Sequence, residues 1–218
     1  MGGTEKEWLL DVIKTRRSIR AFMEDHPVSD DEIDAILESA RWAPSARNIQ
    51  PLEYVVIRDP EKRRRIAFYS RQEQPAQSPV VIVVLGDLKK ARAVGDISPH
   101  DVTTHWKGIK KFLYQDAAAA IQNMLLATHS MGLGSLWIGA FDNDGLEEYL
   151  GLTDRYNAIA VICIGKEAVS HIKPPKRKMG DVVHWEKWED RNHDDSYLEY
   201  SHVINTPLED EVSRRKRE

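Results

Sequence analysis

The 218-residue chain has one cysteine, Cys163, so no intrachain disulfide can staple it. That cysteine sits in the apolar run AVICIG, where a small buried thiol is the expected reading. Charge of one sign is also missing. Thirty-one basic against 35 acidic side chains leave a net charge of −4, which gives no global pull toward nucleic acid or an anionic membrane. No apolar run approaches the roughly 20 residues that span a bilayer. The start, MGGTEKEWLL, lacks the basic and apolar stretches of a signal peptide, and Lys6 stands where a myristoylated chain would carry Ser or Thr. A reducing, cytoplasmic location is the expectation. Several chemical signatures are absent as well. GxGxxG fails because Trp137 occupies the place of its third glycine, and neither the phosphate-cradle lysine motif nor HExxH nor GxSxG occurs. His100 and His105 are spaced poorly for a metal, and none is expected.

What is present suits a soluble globular domain: 41% hydrophobic and 30% charged residues, in a length that fits one domain. Trp8, Leu9, Val12 and Ile13 repeat at helical spacing ahead of RRSIR. Ser29 with Glu32 predicts a capping box, followed by Ile33, Ile36, Leu37 and Ala40 on one helical face until Pro44. Leu52 to Arg58 reads as a strand, Asp59 and Pro60 open another helix, and PVVIVVLG at 79–86 reads as a strand buried on both faces. Residues 87–106 show no clear period and predict a long loop or irregular helical excursion. Gln115 to Met131 is the longest helical signal, with Ala117, Ala118, Ile121, Met124, Leu125 and Thr128 on its buried face and Gly132 as its cap. A short helix at Leu146–Leu150 should end at Gly151, and Asn157 to Gly165 reads as a second buried strand. The apolar VVHWEKW segment, isolated near the end, is expected to dock on a neighbouring subunit.

Four stretches carry possible chemistry. Arg16, Arg17, Ser18 and Arg20 put three guanidinium groups and a hydroxyl at a helix end, suited to a phosphate monoester and to carbonyl oxygens, or else to a solvated basic face. PSARNIQP, from Pro44 through Ser45, Ala46 and Asn48 to Pro51, joins a helix stop to small and amide side chains that let a planar ligand approach, though an ordinary loop has the same composition. GLGSLWIGAF at 132–141 is a glycine-flanked segment whose N–H groups can come close to a ligand. Lys176, Arg177 and Lys178 could close over an anion or keep a surface loop solvated.

Taken in order, RRSIRAF, PSARNIQP, QDAAAAIQNMLLATHSMGLGSLWIGAFD and a basic segment ahead of VVHWEKW resemble the nitroreductase family of flavoproteins from about Trp8 to Trp188. The resemblance implies an α+β fold with a central, mostly antiparallel sheet flanked by helices, in an interlocked homodimer with FMN in the interface. It implies that Arg16, Arg17 and Ser18 hold the phosphate and that Arg20 reaches the pyrimidine edge of the flavin. Pro44, Ser45, Ala46 and Asn48 would line the flavin from the other subunit. Ile138 and Gly139 would bring backbone N–H to its O4 and N5, Lys176 and Lys178 would return to the phosphate, and Gln72 would supply an amide to the ring. No catalytic side chain is named, because a cofactor that carries the hydride needs binding and electrostatic tuning more than protein acids or bases.

The implied activity is transfer of reducing equivalents from NADH or NADPH to a small electron-poor acceptor, a quinone or nitroaromatic, by ping-pong turnover. Residues 1–188 would form this domain and 189–218 a charged tail. Within the family, reductive dehalogenases grip their substrate with Glu, Tyr and Lys from the lid, and residues 87–111 here contain lysines but neither Glu nor Tyr. Ser18 stands where a flavin-consuming branch tends to carry an acid. A non-catalytic flavin-binding or sensory protein is the rival of a different class.

Overall fold

The computed structural model describes residues 5–96, 106–171 and 173–190. The chain divides into two compact units, Met1–Ala168 and Val169–Glu218. In the first, helix α1 (Glu5–Thr15) and helix α2 (Asp30–Arg41) precede strand β1 (Leu52–Ile57). Helices α3 (Pro60–Ser70) and α4 (Gln74–Gln77) lead to strand β2 (Val80–Asp87), then to helix α5 (Leu88–Asp96) and the 25-residue helix α6 (Trp106–Ser130). Strand β3 (Gly134–Ile138), helix α7 (Asn143–Leu150) and strand β4 (Tyr156–Gly165) complete it. The second unit contributes helix α8 (Met179–Val182).

The four strands form one sheet in the order β1-β2-β4-β3, with each neighbouring pair antiparallel. All eight residues of β2 are buried, because the sheet is covered on both faces. Alternation sorts the side chains. Val80, Ile82, Val84, Ala160, Ile162 and Ile164 face α2 and α6, where Ile36, Ile121 and Met124 meet them. Val81, Val83, Val161 and Cys163 face the other way, onto Ile19, Phe22, Ile66, Ile138 and Leu146. Cys163 is fully buried, and that burial pushes its thiol up to about 12.

Local chemistry fixes the element ends. The Ser29 side chain accepts from the Glu32 N–H while Glu32 accepts from the Ser29 N–H at 2.8 Å, the expected capping box. Helix α2 stops at Arg41, with Pro44 three residues beyond. Gly132 (φ 73°) and Gly151 (φ 69°) take the left-handed conformation that ends α6 and α7.

Two expectations need revision. The stretch after Asp87 begins with a regular helix, α5, since the Asp87 carboxylate accepts from the Lys89 and Lys90 N–H groups and Leu88 and Ala91 pack on Leu113. Residues 97–105 of that predicted excursion, and the tail beyond Asp190, lie outside the described residues. The long helix also begins nine residues earlier than its periodic core, at Trp106 instead of Gln115, and Ala118 is half-buried instead of buried.

Candidate functional site

The sequence RRSIRAF leaves the C-terminal end of α1 and runs along the sheet edge. Ser18 bridges Ser135 of β3 in parallel, and the Ile19 N–H donates to the Ser135 carbonyl at 2.9 Å. Phe22 bridges Glu167, and the Met23 N–H donates to the Lys166 carbonyl at 2.9 Å. Ile19 and Phe22 are buried as anchors, which leaves Arg16, Arg17, Ser18 and Arg20 half-buried between them and solvent. A helix C-terminus carries partial negative charge and attracts cations. Arg17 answers it, with Nη1 donating to the Lys14 and Arg16 carbonyls at 2.8 and 2.6 Å. Among the described residues, the ion pairs involve neither Arg16 nor Arg17. Burial, and then the Arg17 charge, lower the Arg16 guanidinium from its ordinary value, and burial does the same to Arg20. Adjacent guanidinium groups without a carboxylate fit a phosphate dianion, which would relieve their repulsion and accept their hydrogen bonds.

Strand β3 starts beside this cluster and ends at Ile138, which is buried, followed by Gly139 and Ala140, which are exposed. At about 3.3 Å per residue, Gly139 lies about 13 Å along the strand from Ser135. The β3 end is tied to the end of α3, because the Asp142 N–H donates to the Tyr69 carbonyl at 2.9 Å. Gln72, three residues past Tyr69, follows a left-handed Arg71 (φ 52°) and is half-buried. The structure thus sets Ser18 and the Ile138–Gly139 end of β3 along one edge of the sheet, with Gln72 following the end of α3.

The segment Pro44–Asn48 stands elsewhere. Ser45 is extended, Ala46–Asn48 forms a tight turn, and three non-glycine residues, Arg47, Asn48 and Gln50, are left-handed (φ 52°, 56° and 49°). The turn is held to α6, where Asp116 Oδ1 accepts from the Ala46 N–H at 3.0 Å. The cationic cluster meets the C-terminal end of α6, where Thr15 Oγ1 lies 2.8 Å from His129 Nε2. Asp116 and His129 are about 20 Å apart along the helix axis. Within one chain, therefore, the structure does not bring Pro44, Ser45, Ala46 and Asn48 to Arg16–Arg20. Lys176, Arg177 and Lys178 belong to the second unit, where all three are exposed and Arg177 Nη2 donates to the Asp181 carbonyl at 2.9 Å.

Two side chains escaped the sequence reading. Asp116 is buried on α6, where it stands ahead of an alanine run as a lone acid on an otherwise apolar face. His129, in the last turn of α6, is half-buried beside the arginines; burial lowers it from the ordinary histidine value, Arg16 and Arg17 push the same way, and Glu167 and Asp11 oppose them. A histidine just before the helix-ending glycine was the available signal for it.

An antiparallel α+β domain that sets arginines at the edge of its sheet defines a class to which known proteins can be compared. The Nitroreductase family profile matches residues 13–166, and the chain belongs to that family. A protein of Archaeoglobus fulgidus, provisionally named an NADH dehydrogenase/NAD(P)H nitroreductase, is 35% identical over 190 residues, which cover 84% of this chain and 99% of that one. The FMN reductase (NADPH) of Bacillus subtilis is 28% identical over 202 residues, 90% of this chain and 79% of that one. A crystal structure of a provisionally named nitroreductase from Exiguobacterium sibiricum in complex with FMN shares the fold, with a TM-score of 0.72, 24% identity and coverage of 85% of this chain and 99% of that one.

Proposed function

We propose that this chain is an FMN-dependent oxidoreductase that passes reducing equivalents from NADH or NADPH to a small electron-poor acceptor, such as a quinone or nitroaromatic, as a homodimer. The bound flavin would supply the hydride chemistry, and the protein would supply binding, orientation and tuning. Arg16 and Arg17, with the Ser18 hydroxyl, would hold the phosphate. Arg20 would place positive charge at the pyrimidine edge, favouring the anionic reduced form. The backbone at Ile138 and Gly139 and the Gln72 amide would meet the ring, and Lys176 and Lys178 stay candidates for the phosphate by resemblance alone. No protein acid or base is required, so acceptor and reductant can use the same face in turn.

The observation that carries this reading is the half-buried Arg16–Arg17 couple beside the start of β3, which joins no ion pair among the described residues. The separation along α6 is compatible with the dimer: the turn stands about 20 Å along the helix from the end that meets that couple, and a second chain could present its own turn to the ligand. The names of the relatives favour an enzyme over a flavin-binding sensor.

Purified protein should be yellow and release about one FMN per chain on denaturation, and it should oxidise NADH or NADPH when a quinone is added. Colourless protein that takes up no added FMN rejects the proposal. Bound FMN without NAD(P)H oxidation favours the sensor. Arg16→Ala should weaken FMN binding on the order of ten- to a hundredfold, because it removes a charge-assisted, bidentate phosphate contact. Arg177→Ala should change it less, and equal affinities in a fluorescence titration of wild type and Arg16→Ala would count against the phosphate site.

A further inference from the structure

Asp116 is 7% exposed and stands on the buried face of α6 beside Ala117, Ala120 and Ile121. A carboxylate there loses its hydration, and burial accordingly pushes it above the ordinary aspartate value, with the Ala46 N–H pulling the other way. Among the described residues, one of its two oxygens is answered. Oδ1 accepts from Ala46, seventy residues away in sequence, whereas Oδ2 is buried with no hydrogen-bond partner among the described residues. A half-satisfied buried carboxylate is a poor device for stability, and an apolar side chain at the same place is often neutral or better.

The turn it reaches needs holding. Arg47, Asn48 and Gln50 are left-handed without being glycine, a conformation that L side chains adopt at an energetic cost. Most of the bonds that keep them so are internal to the turn: Ser45 Oγ accepts from the Gln50 N–H at 3.0 Å, and the Ser45 carbonyl accepts from the Asn48 N–H at 2.9 Å. Lys90 reaches the Gln50 carbonyl at 3.2 Å, but through a long flexible side chain. The Asp116–Ala46 bond differs from these because a short side chain on the longest helix fixes the position of the turn relative to the core.

We propose that Asp116 is a positioning residue for the flavin-lining turn: its Oδ1 holds Ala46, and thereby Ser45 and Asn48, in the place from which a second chain's FMN is contacted. This role rests on the FMN reading above. It gives a signature that a stability role cannot, because loss of the carboxylate should harm ligand binding and spare the fold.

The test compares wild type, Asp116→Ala and Asp116→Asn, measuring the melting temperature of each apoprotein, the FMN dissociation constant by fluorescence, and hydrogen exchange of the Ala46 amide. Asp116→Ala should keep or raise the melting temperature, weaken FMN binding by about tenfold or more, and speed exchange at Ala46. Asp116→Asn keeps an acceptor oxygen and should bind within about threefold of wild type, with Ala46 still protected. Unchanged FMN affinity in Asp116→Ala overturns the proposal. So does an alanine variant that melts several degrees lower with no recovery in the asparagine variant, since Asp116 would then be structural. Should the wild type itself take up no FMN, the flavin reading fails first, and the exchange measurement judges the anchor alone: equal exchange at Ala46 in all three proteins overturns it.

Discussion

The hydroxyl of Thr15 has one proton, and it is donated to the Asp11 carbonyl at 2.6 Å. Toward His129 the same oxygen must therefore accept, which places a proton on Nε2 across the 2.8 Å contact. Nδ1 is then the site that titrates. The groups around the ring are Arg16 and Arg17, which disfavour its charge, and Asp11 and Glu167, which favour it; burial outweighs each of them and the net direction is downward from 6.5. Below pH 6.5 the unfolded chain takes up a proton here that the folded chain resists. The contribution to stability is thus complete above that pH and lost as pH falls through the lower folded value. His129→Gln keeps an N–H for Thr15 but cannot titrate. Melting temperatures of apoprotein between pH 7.5 and 5 should fall less steeply for the variant than for wild type, and parallel curves would remove His129 from the acid response.

At the scale of elements, the approach of RRSIRAF to β3 depends on one missing side chain. A Cβ on Gly134 would lie 2.6 Å from Ile19 Cγ1 and 3.0 Å from Ile19 Cβ. Ile19 is β-branched, stiff and buried, so it cannot swing aside. Gly134→Ala should cost about 1–3 kcal/mol through overpacking and also weaken FMN binding, because it pushes the arginine segment off the strand. Gly151→Ala is the control: nothing lies within 4 Å of its Cβ, and its φ of 69° should cost about 1–2 kcal/mol with FMN affinity unchanged. Equal FMN loss in both variants, measured with thermal melts alongside, would mean that lowered stability alone is responsible. These elements were unevenly legible in the sequence. The capping box at Ser29, the buried run of β2 and the glycine stops of α6 and α7 are local signals, and local signals survive folding. Helix α5 was obscure because its start depends on the Asp87 carboxylate, and the short stretch after it has no clear apolar period. The four site stretches could be found, but their grouping could not: that Ser18 meets Ser135 while Ala46 is held to Asp116 near the middle of α6 is a matter of topology, and no spacing encodes it.

At the scale of the whole molecule, the described residues of a single chain leave apolar side chains in water. Trp8, Leu9, Leu10 and Ile13 of α1 are exposed, Trp8 by 59%, and in the second unit Trp185 and Trp188 are exposed by 80% and 70%. Val12 is the buried member of the α1 pattern, so the periodic face read from the sequence has a role that the described residues of its own chain do not meet. A second copy would cover such faces and would bring Ser45–Asn48 to the arginine cluster at the same time. Dimerisation and FMN binding should then be one property. A ligand that binds only the dimer stabilises it by mass action, so added FMN should shift a dilute sample from monomer toward dimer. Removal of the chain from Val182 onward deletes Trp185 and Trp188 and should weaken the dimer and FMN retention together. Sedimentation of the full and shortened chains, each with and without FMN, separates the possibilities. Linked losses support the shared interface, whereas a shortened monomer that binds FMN as tightly as the full chain would show that one chain holds the whole site.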